Sequence, residues 1–177
     1  GAQSRAHQER IAFIWVHTSR AQARENVFLK NVFAGARERA NQMGFILEEF
    51  WTNDVGMTDQ RLEHILRARG IVGAEPCAIL LPDELMIGTP GCMKQMVEAY
   101  NEVGGNLISV LEVPMEQVPS YGVIAPGESR GALTEVRGLV EKPRLEDAPS
   151  NKIVSGRYIL QPEVMRTLEG QEKGAGG

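Results

Sequence analysis

At 177 residues, with 42% apolar and 24% charged side chains, the chain has an ordinary globular composition and enough length for one well-cored domain or two lobes. No apolar stretch approaches the roughly 20 residues of a membrane span, and the polar start from Gly1 to Arg10 lacks the apolar middle of an export signal, so no membrane partner and a cytoplasmic location are expected. The net charge of −4 hides an asymmetry, with 10 basic and 8 acidic side chains in residues 1–74 against 9 and 15 in 75–177, and neither half has the concentrated positive patch of a nucleic-acid surface.

Ile11 to Val16 reads as a short buried strand that runs into the polar segment His17-Thr18-Ser19-Arg20. From about Glu25 to Met43, apolar residues at Phe28, Val32, Ala36, Ala40 and Met43 recur at helical spacing, and Gly44 supplies a stop. Phe45 to Trp51 forms a second strand. Thr58 and Asp59 open a second helix that buries Leu62, Ile65 and Leu66 and ends at Gly70. Ile71 to Leu81 then reads as a third strand, interrupted by Glu75-Pro76. This alternation predicts an α/β fold, a three-layer, mostly parallel, doubly wound sheet of Rossmann-like type.

After Asp83 a loop through Thr89-Pro90-Gly91 leads to a helix with Met93, Met96, Val97 and Tyr100 on one face, stopped by Gly104-Gly105. Asn106 to Val113 is a strand, and Tyr121 to Ile124 and Leu133 to Val140 are two more, separated by the turn-forming Pro126-Gly127. Gly156 to Leu160 is a last strand before a short helix from Pro162 to Leu168. These strands add a mixed β region to the C-terminal half.

Asp83 directly follows the apolar run Cys77 to Leu81, and in an open α/β sheet that end of a strand faces the ligand crevice. A carboxylate there suits Mg2+ shared with phosphate oxygens, although Pro-Asp is also ordinary turn chemistry. Glu141 and Lys142 point to opposite faces unless the strand stops, as Pro143 suggests; freed, the glutamate could hold a sugar hydroxyl and the lysine a phosphate, or the pair could be solvated surface. Gly122, after Tyr121, would admit close backbone approach of a ligand, or simply tight strand packing. Cys77 and Cys92 form neither a metal spacing nor a disulfide framework. Trp15 and Trp51 read as core rather than as a sugar-stacking platform.

Glu75-Pro76, Leu81-Pro82-Asp83-Glu84, Gly91-Cys92 with the following Lys94 to Tyr100, Tyr121-Gly122 and Val140-Glu141-Lys142-Pro143 occur in the order and spacing of bacterial UTP-glucose-1-phosphate uridylyltransferases. Ala148 to Asn151 and Gly156 to Leu160 continue the likeness, so residues 73–177 resemble the central part of that family. The resemblance implies a partial nucleotidyltransferase-like half, with Mg2+ as cofactor at Asp83, glucose contacts at Gly122 and Glu141, and phosphate binding at Lys142. The family's glycine-rich nucleotide loop has no counterpart in residues 1–76, and Glu84 stands where the family commonly has aspartate. The family also continues, past the equivalent of Gly177, toward a second metal-binding aspartate.

Ile11 to Val16, Asn26 to Phe28, Phe33 to Ala40, Met43 to Phe45 and Ile65 to Ile71 resemble instead the periplasmic-binding-like sugar domain of lac repressor-type regulators, over residues 10–73. That likeness implies a flavodoxin-like βαβα half over 1–73, with effector contacts at His17, Thr18 and Asn26, joined near Gly73 to the 74–177 half in one merged domain. Three readings stay open: an incomplete uridylyltransferase-like protein without turnover, binding a sugar phosphate and Mg2+ weakly; a sugar-effector or interaction module; and a recombined or designed chimera with no ligand. Unpaired strand edges would favour a homodimer.

Overall fold

Two six-residue strands near the start of the chain, β1 (Arg10–Trp15) and β2 (Ile46–Trp51), pair in parallel, in register from Arg10 opposite Ile46 to Trp15 opposite Trp51. They belong to a computed structural model that describes residues 9–16, 18–68, 71–81 and 84–168. Contacts within the chain gather into two units, Gly1–Ala74 and Glu75–Gly177, divided next to the Gly73 at which the sequence changes character. Each unit has its own buried cluster.

In the first unit the crossover between the strands is two helices, α1 (Arg20–Glu25) and α2 (Val27–Gln42), where the sequence predicts one from Glu25 to Met43. Asn26 is the reason. Its backbone is extended at φ −81 and ψ 110, and it ends α1 while its side-chain oxygen accepts from Leu29 N at 3.2 Å to cap α2. The new start rotates the buried face. Leu29 and Phe33 pack on the core and Ala40 is buried, whereas Phe28 and Met43, expected inside, are 68% and 57% exposed. Gly44 does end the helix, at a φ of 85 that a side chain would resist. Helix α3 (Asp59–Ala68) follows, its first turn accepted by the Thr58 hydroxyl from Arg61 N at 3.1 Å.

The core of this unit is aromatic. Trp15 and Trp51, both buried, stack with ring centroids 4.9 Å apart and planes at 14°. Phe33 meets Phe13 edge to face at 5.1 Å. The Arg20 guanidinium lies 5.1 Å over the Trp51 ring and forks onto Asp54 through Nε at 3.1 Å and Nη2 at 2.7 Å.

The second unit is a five-stranded sheet built on its last strand, β7 (Lys152–Leu160). Strands β3 (Cys77–Leu80) and β4 (Leu107–Glu112), joined by helix α4 (Cys92–Val103), both run antiparallel to β7. Tyr158 and Ile159 of β7 pair with Ile79 and Ala78 on one edge and with Ile108 and Leu107 on the other, so β7 lies between two strands that are parallel to each other. A crossover helix thus joins parallel strands as the sequence predicts, but an antiparallel strand splits them. The mixed α/β character holds, as a parallel pair in the first unit and an antiparallel sheet in the second.

Strand β5 (Gly122–Arg130) touches β7 where Val123 pairs with Ile153, and β6 (Leu133–Glu141) pairs antiparallel with β5. The turn between them is at Gly131, with a φ of 61, not at the expected Pro126-Gly127. Those two residues instead mark register shifts inside the ladder, where a proline and a side-chain-free residue are tolerated. The third strand shrinks from the predicted 71–81 to Cys77–Leu80, the residues in ladder register with β7, and Leu81 N still donates to Gly156 O at 2.8 Å just past its end. Conversely β7 begins four residues before the expected Gly156, since Ser155, polar in sequence, is fully buried and bonded to the Ser109 hydroxyl at 2.9 Å. Val118, Val123 and Ile124 are fully buried too, and each contributes about 1.5–3 kcal/mol by leaving water. Helix α5 (Pro162–Leu168) closes the described chain. Among the described residues no helix is long and apolar enough to cross a membrane.

Two expectations follow from this packing. A Cβ at Gly156 would sit 2.7 Å from the Leu81 Cβ, so Gly156→Ala should lower stability by about 1–3 kcal/mol, read from the urea midpoint. The hydrogen-bonded Arg20 guanidinium holds the Asp54 carboxyl below its ordinary range. Stability from this group is present in full above the ordinary carboxylate range and lost as pH falls through the depressed folded value. Unfolding free energies of the parent and Asp54→Asn should therefore differ near neutrality and converge in acid, by a modest amount because the pair is exposed.

Candidate functional site

Three of the sequence-predicted residues meet at one corner of the second unit, where β5 begins and β6 ends. Gly122 lies directly opposite Glu141 in the ladder. A Cβ on Gly122 would come within 2.9 Å of Glu141 Oε2, so the glutamate carboxylate folds over bare backbone that only glycine leaves open. The strand stops there. Lys142 turns into the left-handed region with φ 45, its N–H donates to the Tyr121 carbonyl at 3.0 Å, and its ammonium comes round to 3.6 Å from Glu141 Oε1.

Both side chains are well exposed, at 70% for Glu141 and 64% for Lys142, so their mutual attraction is weak and neither is committed. An anion and a cation, adjacent, solvated and held on a strained backbone, can bind a ligand that offers a hydroxyl and a phosphate. The turn is the informative part, since a non-glycine residue in this conformation costs about 1–3 kcal/mol and persists only where its surroundings hold it.

Strand β7 ties this corner to the segment after β3. Val154 Cγ2 lies 3.8 Å from the Cβ position of Gly122, the Ser155 hydroxyl donates to Met86 Sδ at 3.8 Å, and Gly156 N donates to Glu84 Oε2 at 3.2 Å. Three consecutive residues thus hold the two places. Gly122 and Glu84 attach to points about 7 Å apart along β7, at the usual rise of a strand.

The sequence gives no prominence to Arg157, yet it is a buried cation that secures this segment. Its Nη1 donates to Leu81 O at 2.6 Å and Gly156 O at 2.9 Å, and its Nη2 to Glu84 O at 2.6 Å. Among the described residues no carboxylate pairs with it; three carbonyl dipoles compensate the charge. Only the motif Gly156 to Leu160 pointed toward it, and its partners lie 73 and 76 residues away. Ser150 and Asn151 have comparable tasks, donating to Ile124 O at 2.6 Å and Val113 O at 3.3 Å.

Asp83 and His17 lie outside the described residues. Of the other expected effector contacts, the Asn26 amide oxygen is used in capping α2, and the Thr18 hydroxyl donates to the Val16 carbonyl at 3.3 Å. Among the described residues no group of three or more His, Cys, Asp or Glu could hold a metal ion. Glu84, next to Asp83 in sequence, is turned to the Gly156 amide.

Comparison with known proteins bears on this corner. Residues 62–175 match the nucleotidyl transferase family. A UTP–glucose-1-phosphate uridylyltransferase from Komagataeibacter xylinus is 50% identical over 110 residues, 62% of this chain and 39% of that protein, and one from Pseudomonas aeruginosa is 42% identical over 115 residues, 64% of this chain and 41% of that protein. The chain therefore spans about two fifths of the length of these curated relatives. Among solved structures, a UDP-glucose pyrophosphorylase in complex with UDP-glucose superimposes with a TM-score of 0.70 at 29% identity, over 95% of this chain and 64% of that one. A UDP-glucose pyrophosphorylase from Acinetobacter baumanii gives 0.64 at 27%, over 92% and 61%.

The backbone at residue 142 is itself testable. Lys142→Gly should raise stability by about 1 kcal/mol by removing the Cβ from a left-handed position, while Lys142→Ala, which keeps the Cβ, should not. Urea denaturation of the three proteins decides it.

Proposed function

Because this chain belongs to the nucleotidyl transferase family, we propose that residues 75–177 form the sugar-phosphate half of a UTP-glucose-1-phosphate uridylyltransferase-like site. The observation that carries the reading is the corner in which Gly122 faces Glu141 and Lys142 turns back beside it. The Glu141 carboxylate accepts hydrogen bonds from sugar hydroxyls, the bare Gly122 backbone lets the ring lie close, and the Lys142 ammonium faces the phosphate as a point charge. In this reading Asp83, three residues beyond β3, is the magnesium ligand, completed by phosphate oxygens since the described residues supply no cluster. Bound there, the cation would neutralise phosphate charge.

Transfer to a nucleotide needs a second cradle. Residues 1–76 contain no run of glycines able to wrap a triphosphate. The reading is thus binding without turnover: in-line attack on a nucleoside triphosphate depends on positioning and charge neutralisation around both reactants. The effector-module reading draws less support, because Asn26 and Thr18 are engaged with local backbone.

Calorimetric titration with glucose 1-phosphate and Mg2+ should show saturable binding on the order of 1 mM, weakened about tenfold or more in Glu141→Ala and in Lys142→Ala. Equal affinity in the variants would remove the corner from the site. Pyrophosphate release from UTP and glucose 1-phosphate at the rate of an ordinary enzyme would remove the claim of inactivity.

A further inference from the structure

The two tryptophans of the chain, Trp15 and Trp51, share the wall of a cavity of about 200 Å³ in the first unit. They are the last residues of β1 and β2, and the carboxyl ends of parallel strands are where open α/β sheets take their ligands. Phe33 of α2 completes an apolar side.

The polar lining is one-sided in charge. Arg20, Arg24 and Lys30 face the cavity with a single carboxylate, Glu49. That carboxylate accepts from Trp15 Nε1 at 3.0 Å, which orients it along the wall. Arg20 is taken up by its fork onto Asp54, outside the lining. Arg24 and Lys30 have no ion-pair partner among the described residues, and they come from different helices to the same space. The cavity thus keeps an uncompensated positive charge beside aromatic surface.

We propose that this cavity binds a small phosphate monoester, its phosphate beside Arg24 and Lys30 and its organic body against Phe33. A guanidinium and an ammonium lining one cavity suit a dianion, as a monoester is near neutrality. A volume of about 200 Å³ leaves room for a phosphate and a few carbons. It falls below the roughly 300–1,000 Å³ of pockets for larger ligands, which favours a small one. Every lining residue precedes residue 62, so the site is separate from the matched family segment and does not rest on the proposed function.

Both tryptophans report on the cavity, so intrinsic fluorescence of the full chain reads it directly. Titration with glycerol 3-phosphate should give a saturable change, inorganic phosphate a weaker one, and glycerol or sodium chloride at matched ionic strength none. The double variant Arg24→Ala, Lys30→Ala should weaken the response about tenfold or more with its unfolding midpoint unchanged, both side chains being exposed. Arg24→Gln and Lys30→Gln, singly, give the same reading should the double variant fold poorly, and Lys94→Ala, at an exposed lysine of α4, should bind like the parent. The proposal is overturned by the absence of a saturable change, by an equal change with sodium chloride, or by a response that survives loss of both cations. Tighter binding of inorganic phosphate than of the ester would overturn the assignment to a monoester.

Discussion

A buried guanidinium holds the second unit in working order. Arg157 reaches from the centre of the sheet to the carbonyls of Leu81 and Glu84, and so fixes both sides of the two-residue interval that contains Asp83. Burying a charge is costly unless its donors are satisfied, and here three short charge-assisted bonds to backbone offset that cost. The preceding glycine is part of the same contact, because a side chain at 156 would collide with Leu81. Strand β7 has this authority because β3, β4 and β5 all pair with it.

The candidate sugar-phosphate corner shows the complementary strategy. Its residues are exposed, and what places them is backbone geometry: a glycine where a carboxylate must lie over the chain, and a lysine held in a left-handed turn that ends its strand. The contacts of β7 with Gly122 and with Glu84 lie two residues apart, at Val154 and Gly156. Glu141 and Lys142 stay solvated, while Arg157 is buried and bonded to backbone carbonyls.

The first unit is organised by aromatic stacking rather than by a hydrogen-bonded hub. Trp15 and Trp51 end adjacent parallel strands, and their stack and the arginine above it define a small, positively lined space. Little of this space was legible from residue order. Arg20, Arg24 and Lys30 look like solvated helix charges in sequence, and only the parallel register that stacks the two indoles brings them round one volume.

Residue order by itself determined the α/β class, the helix stops at Gly44 and Gly104 and the core tryptophans, because each depends on local geometry or on short motifs. Glycines at positive φ, apolar periodicity and a proline after a strand act within a few residues of themselves. The tertiary structure decided what depends on distant partners. Asn26 split a helix whose periodicity looked continuous, the turn moved from Pro126-Gly127 to Gly131, and β7 grew backward through a buried serine that found Ser109. The insertion of an antiparallel strand between parallel neighbours joins residues 40 to 83 positions apart, the clasp of Arg157 residues 73 and 76 apart, and no local pattern encodes them.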